Sequence, residues 1–180
     1  MPKHIATVAA AALVAAVAFG AAPTARADAD RTFTVQPFDL ATGIVNFEYE
    51  GALLPFVSIH MGLDFLTWDG FSAGDGDVFA VGPEMGLRVF PFMAAPAGFW
   101  LGPFAGVAYV RAENQLGEDV ERIGGYAGGM VGFTLIPFDI LVLSAGAGLA
   151  YHELGIEADG EEIGPIGLHP RLRLAIGLAF

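Results

Sequence analysis

From Ile166 to Phe180 large apolar side chains recur at every second position: Ile166, Leu168, Leu172, Leu174, Ile176, Leu178 and Phe180. Between them stand Gly167, His169, Arg171, Arg173, Ala175, Gly177 and Ala179. Successive strand residues point to opposite faces, so this period of two predicts a β-strand with one large apolar face and one small or charged face. The same split runs through Val57, Ile59, Met61, Leu63 and Phe65 against Ser58, His60, Gly62 and Asp64. It recurs in Phe79 to Val89, where Ala80, Gly82, Glu84, Gly86 and Arg88 form the small face, and in Leu141 to His152. Val45, Phe47 and Tyr49 oppose Asn46, Glu48 and Glu50.

Helices fit these stretches poorly. Val89 to Val110 carries no charge, but it contains Pro91, Pro96 and Pro103 and several glycines. Proline costs about 3 kcal/mol and glycine about 1 kcal/mol in a helix interior. Ile123 to Phe138 is short for a spanning helix of about 20 residues.

The character of the second face separates the remaining all-β folds. In a soluble sandwich that face would meet water and carry lysine, serine and threonine. Here it is glycine, alanine and charges of both signs, which suits the narrow interior of a closed barrel. The large apolar face then looks outward, as contact with lipid demands. Hydrophobic residues make up 54% of the chain and charged ones 16%, which excludes disorder and exceeds the apolar content of ordinary soluble domains. A net charge of −12 without a basic cluster argues against nucleic-acid binding. The absence of cysteine excludes disulfide staples, thiolate metal sites and thiol catalysis.

The first segment reads as a cleavable signal peptide, residues 1–27. Lys3 and His4 precede an uncharged run from Ile5 to Ala22, Pro23 breaks it, and Ala25-Arg26-Ala27 supplies a small-x-small cleavage pattern. Residues 28–180 form the expected barrel domain. After cleavage six arginines and no lysine face twenty acids.

Seven strands are expected at 44–53, 56–68, 78–92, 98–112, 122–137, 140–156 and 163–180. Short connections (53–55, 93–97, 137–139) alternate with longer acidic ones (69–77, 113–121, 157–162). That alternation matches short periplasmic turns and long external loops, and it requires an even strand count. The eighth strand is expected at Thr32 to Phe38, with a tight turn near Ala41-Thr42-Gly43. The expected architecture is all-β: an eight-stranded antiparallel up-and-down transmembrane β-barrel. Phe56, Phe90, Phe92, Phe99, Trp100, Phe138 and Phe180 are expected at one rim, and Trp68, Phe71, Tyr109 and Tyr151 at the other, as two aromatic girdles.

Arg173, Leu178 and terminal Phe180 resemble the C-terminal insertion signal of bacterial outer-membrane barrels, with Ala175 where glycine is usual. The mature chain as a whole resembles the small outer-membrane barrels of the OmpA/OmpX type. The resemblance implies export to the outer membrane of a Gram-negative bacterium and insertion by the barrel assembly machinery. Lipid and lipopolysaccharide would surround the protein, which is expected as a monomer. The resemblance implies no particular activity, since fold does not fix function.

Parity sends Glu48, Glu50, His60, Asp64, Glu84, Arg88, His169, Arg171 and Arg173 into the lumen. Buried ions must pair, so Glu50, His60 and Arg88 are expected to cluster, and Glu48 or Glu84 to meet Arg171 or Arg173. These pairs would plug an eight-stranded lumen, which side chains alone can fill.

No catalytic residue and no cofactor are assigned. Ser144 and His152 share a face but lie about 26 Å apart along a strand. Ser58, His60 and Asp64 share another face, where a structural role is favoured over nucleophilic chemistry. The acidic runs Gly74-Asp75-Gly76-Asp77 and Asp159-Gly160-Glu161-Glu162 do not satisfy the twelve-residue calcium loop, and weak cation binding there stays open. The favoured role is structural or surface-interactive. The alternatives are a narrow solute channel and a lipid-modifying enzyme. With Phe180 ending the last strand, no periplasmic domain is expected.

Overall fold

The computed structural model describes residues 29–36, 44–68, 78–113, 119–158, 161–163 and 165–180. The strands are β1 (Arg31–Val35), β2 (Ile44–Leu54), β3 (Val57–Trp68), β4 (Val78–Val89), β5 (Gly98–Glu113), β6 (Asp119–Leu135), β7 (Leu141–Glu153), β8 (Ile156–Ala158), β9 (Glu161–Ile163) and β10 (Ile166–Ala179). Eight of them close one barrel in the order β1-β10-β7-β6-β5-β4-β3-β2, every neighbouring pair antiparallel. This is an all-β up-and-down architecture consistent with the OmpA/OmpX type. No helix among the described residues is long and apolar enough to cross a membrane.

Closure depends on the first strand. β1 pairs β2 on one side and β10 on the other, Phe33 facing both Tyr49 and Leu178. Arg31 and Phe180 exchange backbone hydrogen bonds of 3.2 and 3.0 Å, so the two ends of the described barrel meet at one rim. The strand is shorter than the expected Thr32 to Phe38. It ends at Val35, and the Gln36 N–H continues the ladder to the Asn46 carbonyl at 3.0 Å. Pro37, Phe38 and the turn near Ala41-Thr42-Gly43 lie outside the described residues.

The tilt of the wall follows from its register. One hydrogen-bonded row runs from Ala179 through Thr32, Glu50, His60, Gly86, Phe104, Gly128 and Ala150 to His169. It therefore returns to β10 ten residues from where it left. For eight strands that stagger gives a tilt of about 40° and a backbone radius of about 8 Å, from ordinary strand rise and spacing. Such a cylinder holds side chains and little else.

The alternation expected from sequence orders the two faces. On β10 Leu168, Leu172, Leu174, Ile176 and Leu178 are exposed, while Arg173, Ala175 and Ala179 are buried. On β4 Phe79, Met85, Leu87 and Val89 face out, and Ala80, Glu84 and Arg88 face in.

Three expectations need correction. Phe90 and Trp100, expected at a rim, are each 1% exposed and lie inside. Trp100 sits between outward Leu101 and half-buried Phe99, so the strand's own parity turns it inward. The connection expected at 113–121 is shorter, because β5 and β6 stay paired as far as Glu113 opposite Asp119. The connection at 157–162 carries a small hairpin, β8 against β9, with Ile156 opposite Ile163. Of the second aromatic girdle, Tyr109 and Tyr151 are exposed on the outer face, whereas the side chain of Trp68 and all of Phe71 lie outside the described residues.

Candidate functional site

The lumen holds the described residues that combine charge, burial and convergence. Strands that cross at a tilt bring β2, β4 and β10 around one axis, and their inward positions aim at its centre. Glu48 of β2 sits there, 2% exposed. Arg88 of β4 donates to it through Nη1 and Nη2 at 2.9 and 2.8 Å. Arg173 of β10 donates through its own Nη1 and Nη2, both at 2.8 Å. Each Glu48 oxygen thus accepts two guanidinium N–H groups, a double fork of the geometry that favours arginine over lysine.

The same layer absorbs the neighbouring polar groups. Arg88 also donates to Glu50, and the Ser58 hydroxyl donates to Glu50. Trp100 lies beneath Arg88, with the guanidinium carbon 4.6 Å from the ring centroid, and its Nε1 donates to Thr134 Oγ1 at 3.0 Å. Thr134 and Ser144 share a hydrogen bond of 3.0 Å. Glycine makes room for the indole. A Cβ at Gly132 or Gly146 would run into the Trp100 ring.

A second layer sits toward the end with the longer connections. Arg171 Nη1 donates to Glu84 Oε2 at 2.5 Å, and Arg171 Nη2 lies 3.8 Å from Asp64 Oδ2. Asp64 accepts from Asn46 Nδ2 and from the Tyr126 hydroxyl. The Arg171 guanidinium rests on Phe104 at 4.5 Å and on Tyr126 at 5.8 Å. His60 Nε2 lies 4.0 Å from Glu84 Oε1. A cavity of about 10 Å³, the space of a single water, lies between the layers, lined by His60, Glu84, Arg88, Arg171, Trp100 and Phe104 among others.

Apolar clusters flank the two layers. Ala29, Ala97, Ile136, Val142 and Ala179 cluster at the end with the short turns. Ala80, Phe104, Ala108, Val110, Tyr126, Ala150 and Leu154 pack at the other.

The structure therefore sets Glu48 against Arg88 and Arg173, Glu50 against Arg88, and Glu84 and Asp64 against Arg171. His60 is nearer to Glu84 than the expected cluster with Glu50 and Arg88 implied. Among the described residues His169 joins no acid. Its Nε2 bonds the Ile166 carbonyl at 2.9 Å, and its ring meets His152 edge-on at 5.6 Å. Ser58 is turned to Glu50 rather than to His60, and Ser144 to Thr134. Of the insertion pattern, Leu178 and Phe180 are exposed, while Arg173 is buried in the central fork. Sequence alone misses Trp100, Phe104 and Tyr126 as lumen residues. Parity is the signal that finds them, since Gly124, Tyr126 and Gly128 alternate with Ile123, Gly125 and Ala127.

Glu48, His60 and Glu84 bring possible metal-ligand atoms within 4.8 Å of one another. The set does not fit a divalent ion. Both Glu48 oxygens are saturated by Arg88 and Arg173, and those two cations would repel an ion placed beside them. Neither the protein-family models nor the curated protein sequences compared with this chain match it.

Proposed function

We propose that this chain is an integral outer-membrane β-barrel of a Gram-negative bacterium, with a structural or surface-interaction role and a closed lumen. One observation carries the reading: the barrel is built inside out. Glu48, Glu50, Glu84, Arg88 and Arg173 are buried within, and its wall is covered by exposed leucine, isoleucine, valine, methionine and aromatic side chains. On β10 the apolar span from Leu168 to Leu178, tilted by about 40°, measures about 25 Å along the barrel axis, the height of a lipid-facing band. Exposed apolar surface of this extent has no stable place in water.

Residues 1–27 would direct export and be removed, the barrel assembly machinery would insert residues 28–180, and lipid and lipopolysaccharide would cover the belt. The short turns would lie on the periplasmic side and the acidic connections outside. The lumen would not conduct, because the forked Glu48 layer fills its centre and apolar clusters flank it on both sides. No catalytic role is proposed.

The test is extraction and electrophoresis. The protein should leave membranes only with detergent and should migrate differently before and after boiling, as closed barrels do. Release into buffer as a free monomer, or a mainly helical circular dichroism spectrum in micelles, would refute the reading. Single-channel recording should show no porin-sized steps. Stable steps of that size would favour the channel alternative.

A further inference from the structure

The two lumen layers differ in charge balance. In the first, Glu48 and Glu50 meet Arg88 and Arg173, two acids for two bases. In the second, Asp64 and Glu84 share Arg171 alone. The described lumen thus holds one carboxylate more than it has guanidinium groups. An uncompensated ion at such a site costs several kcal/mol, so a positive charge must join the second layer when the barrel folds.

Geometry limits where that charge can sit. Asp64 is already stabilised as an anion by the Tyr126 hydroxyl, the Asn46 amide and Arg171. Glu84 uses Oε2 for Arg171, and its Oε1 faces His60 Nε2 across 4.0 Å. That gap is too wide for a direct hydrogen bond and suits a bridging water. His60 is 4% exposed, and among the described residues its Nδ1 meets no hydrogen-bond partner; neither does Arg88 Nε. Both side chains, with Glu84, line the one-water cavity.

We propose that the second layer holds one exchangeable proton, shared between Glu84 and His60 through a water in this cavity. With the proton on Glu84 Oε1, the carboxyl is neutral and the imidazole is neutral. Passing it to the water while the water passes another to His60 leaves a carboxylate and an imidazolium, and the total charge is unchanged. Either arrangement balances Asp64, Glu84 and Arg171. Release of the proton to solvent leaves the layer at −1. The charged and titratable groups facing the pair are Glu48 and Glu50 from β2, Asp64 from β3, Arg88 from β4, Tyr126 from β6, His152 from β7, and His169, Arg171 and Arg173 from β10. β5 offers only Trp100 and Phe104. The barrel is thereby a pH-responsive element. Folding takes up a proton that the unfolded chain does not hold, so stability falls as rising pH removes it. The inference needs only the barrel interior and stands apart from the membrane assignment.

The test uses the detergent-extracted protein at neutral pH, with infrared spectroscopy for protonated carboxyl groups and nitrogen-15 resonance of His60. The expected result is either a neutral-carboxyl band or a His60 imidazolium signal, and Glu84→Gln abolishes whichever is present. His60→Gln should leave a neutral carboxyl on Glu84, which keeps the idea testable if the first variant folds poorly. In urea, the unfolding midpoint of the parent should fall as rising pH strips the shared proton, and that of Glu84→Gln should not. Absence of both signals in the parent overturns the proposal. So does a carboxyl band that survives in Glu84→Gln, which would place the proton elsewhere. Stoichiometric zinc uptake that removes the signals would also overturn it, in favour of a metal at Glu48, His60 and Glu84.

Discussion

The lumen is two polar layers stacked along one axis, and they solve the same problem differently. Around Glu48 two arginines close every acceptor site, and the side chains of Glu48, Arg88 and Arg173 are 1%, 4% and 3% exposed. Around Arg171 one cation serves two acids, and hydroxyl, amide and aromatic groups complete the shell. There Arg171 and Asp64 keep 17% and 15% of their side-chain surface. A layer of closed forks is rigid and unforgiving, because each missing partner strands a buried charge. A layer with a spare acceptor and a water-sized gap tolerates change. The mechanical centre of the barrel is therefore at Glu48 and its adaptable part at Glu84.

Substitutions should separate the two layers when urea unfolding is followed by tryptophan emission and by migration of the unboiled protein. The largest effect is expected for Glu48→Ala, which strands the two guanidinium groups of Arg88 and Arg173. It should cost about 3–5 kcal/mol or prevent folding. Next comes Gly132→Val, whose side chain would collide with Trp100 and with the Ala145 carbonyl. Overpacking of that kind costs about 1–3 kcal/mol, and the Trp100 emission should shift as the indole leaves Arg88. Tyr126→Phe removes one donor to Asp64 in the adaptable layer and should cost about 1.5 kcal/mol, the low end for a bond to a charged acceptor with other donors left. The smallest change is expected for Glu84→Gln near neutral pH, close to zero, since the second layer is neutral with either placement of the shared proton and stays neutral with the amide. A Glu84→Gln loss as large as that of Glu48→Ala would erase the distinction between the layers.

How much of this was legible beforehand depends on the range of the interaction. The inward set Glu48, Glu84, Arg88, Arg171 and Arg173 follows from parity, because one strand's backbone alone decides which side chains share a face. Trp100 illustrates the same rule by its violation: grouping it with rim aromatics by residue type overrode the alternation of Phe99, Trp100 and Leu101, and the fold restored it. The shortened connection between β5 and β6 is hidden in the sequence by its acidic residues, which have the composition of a loop, whereas Arg111 opposite Glu121 extends the ladder.

The sequence by itself determined the period-two strands of the wall and which of their side chains point in or out, since these depend on neighbours one or two residues apart. Only the tertiary structure decided that Glu48 lies between Arg88 and Arg173, that Trp100 rests on Gly132 and Gly146, and that His60 faces Glu84 across a water-sized gap. Arg173 is 125 residues from Glu48 along the chain. Their meeting depends on the ten-residue stagger with which the sheet closes, and that stagger belongs to the whole ring of strands rather than to any one of them.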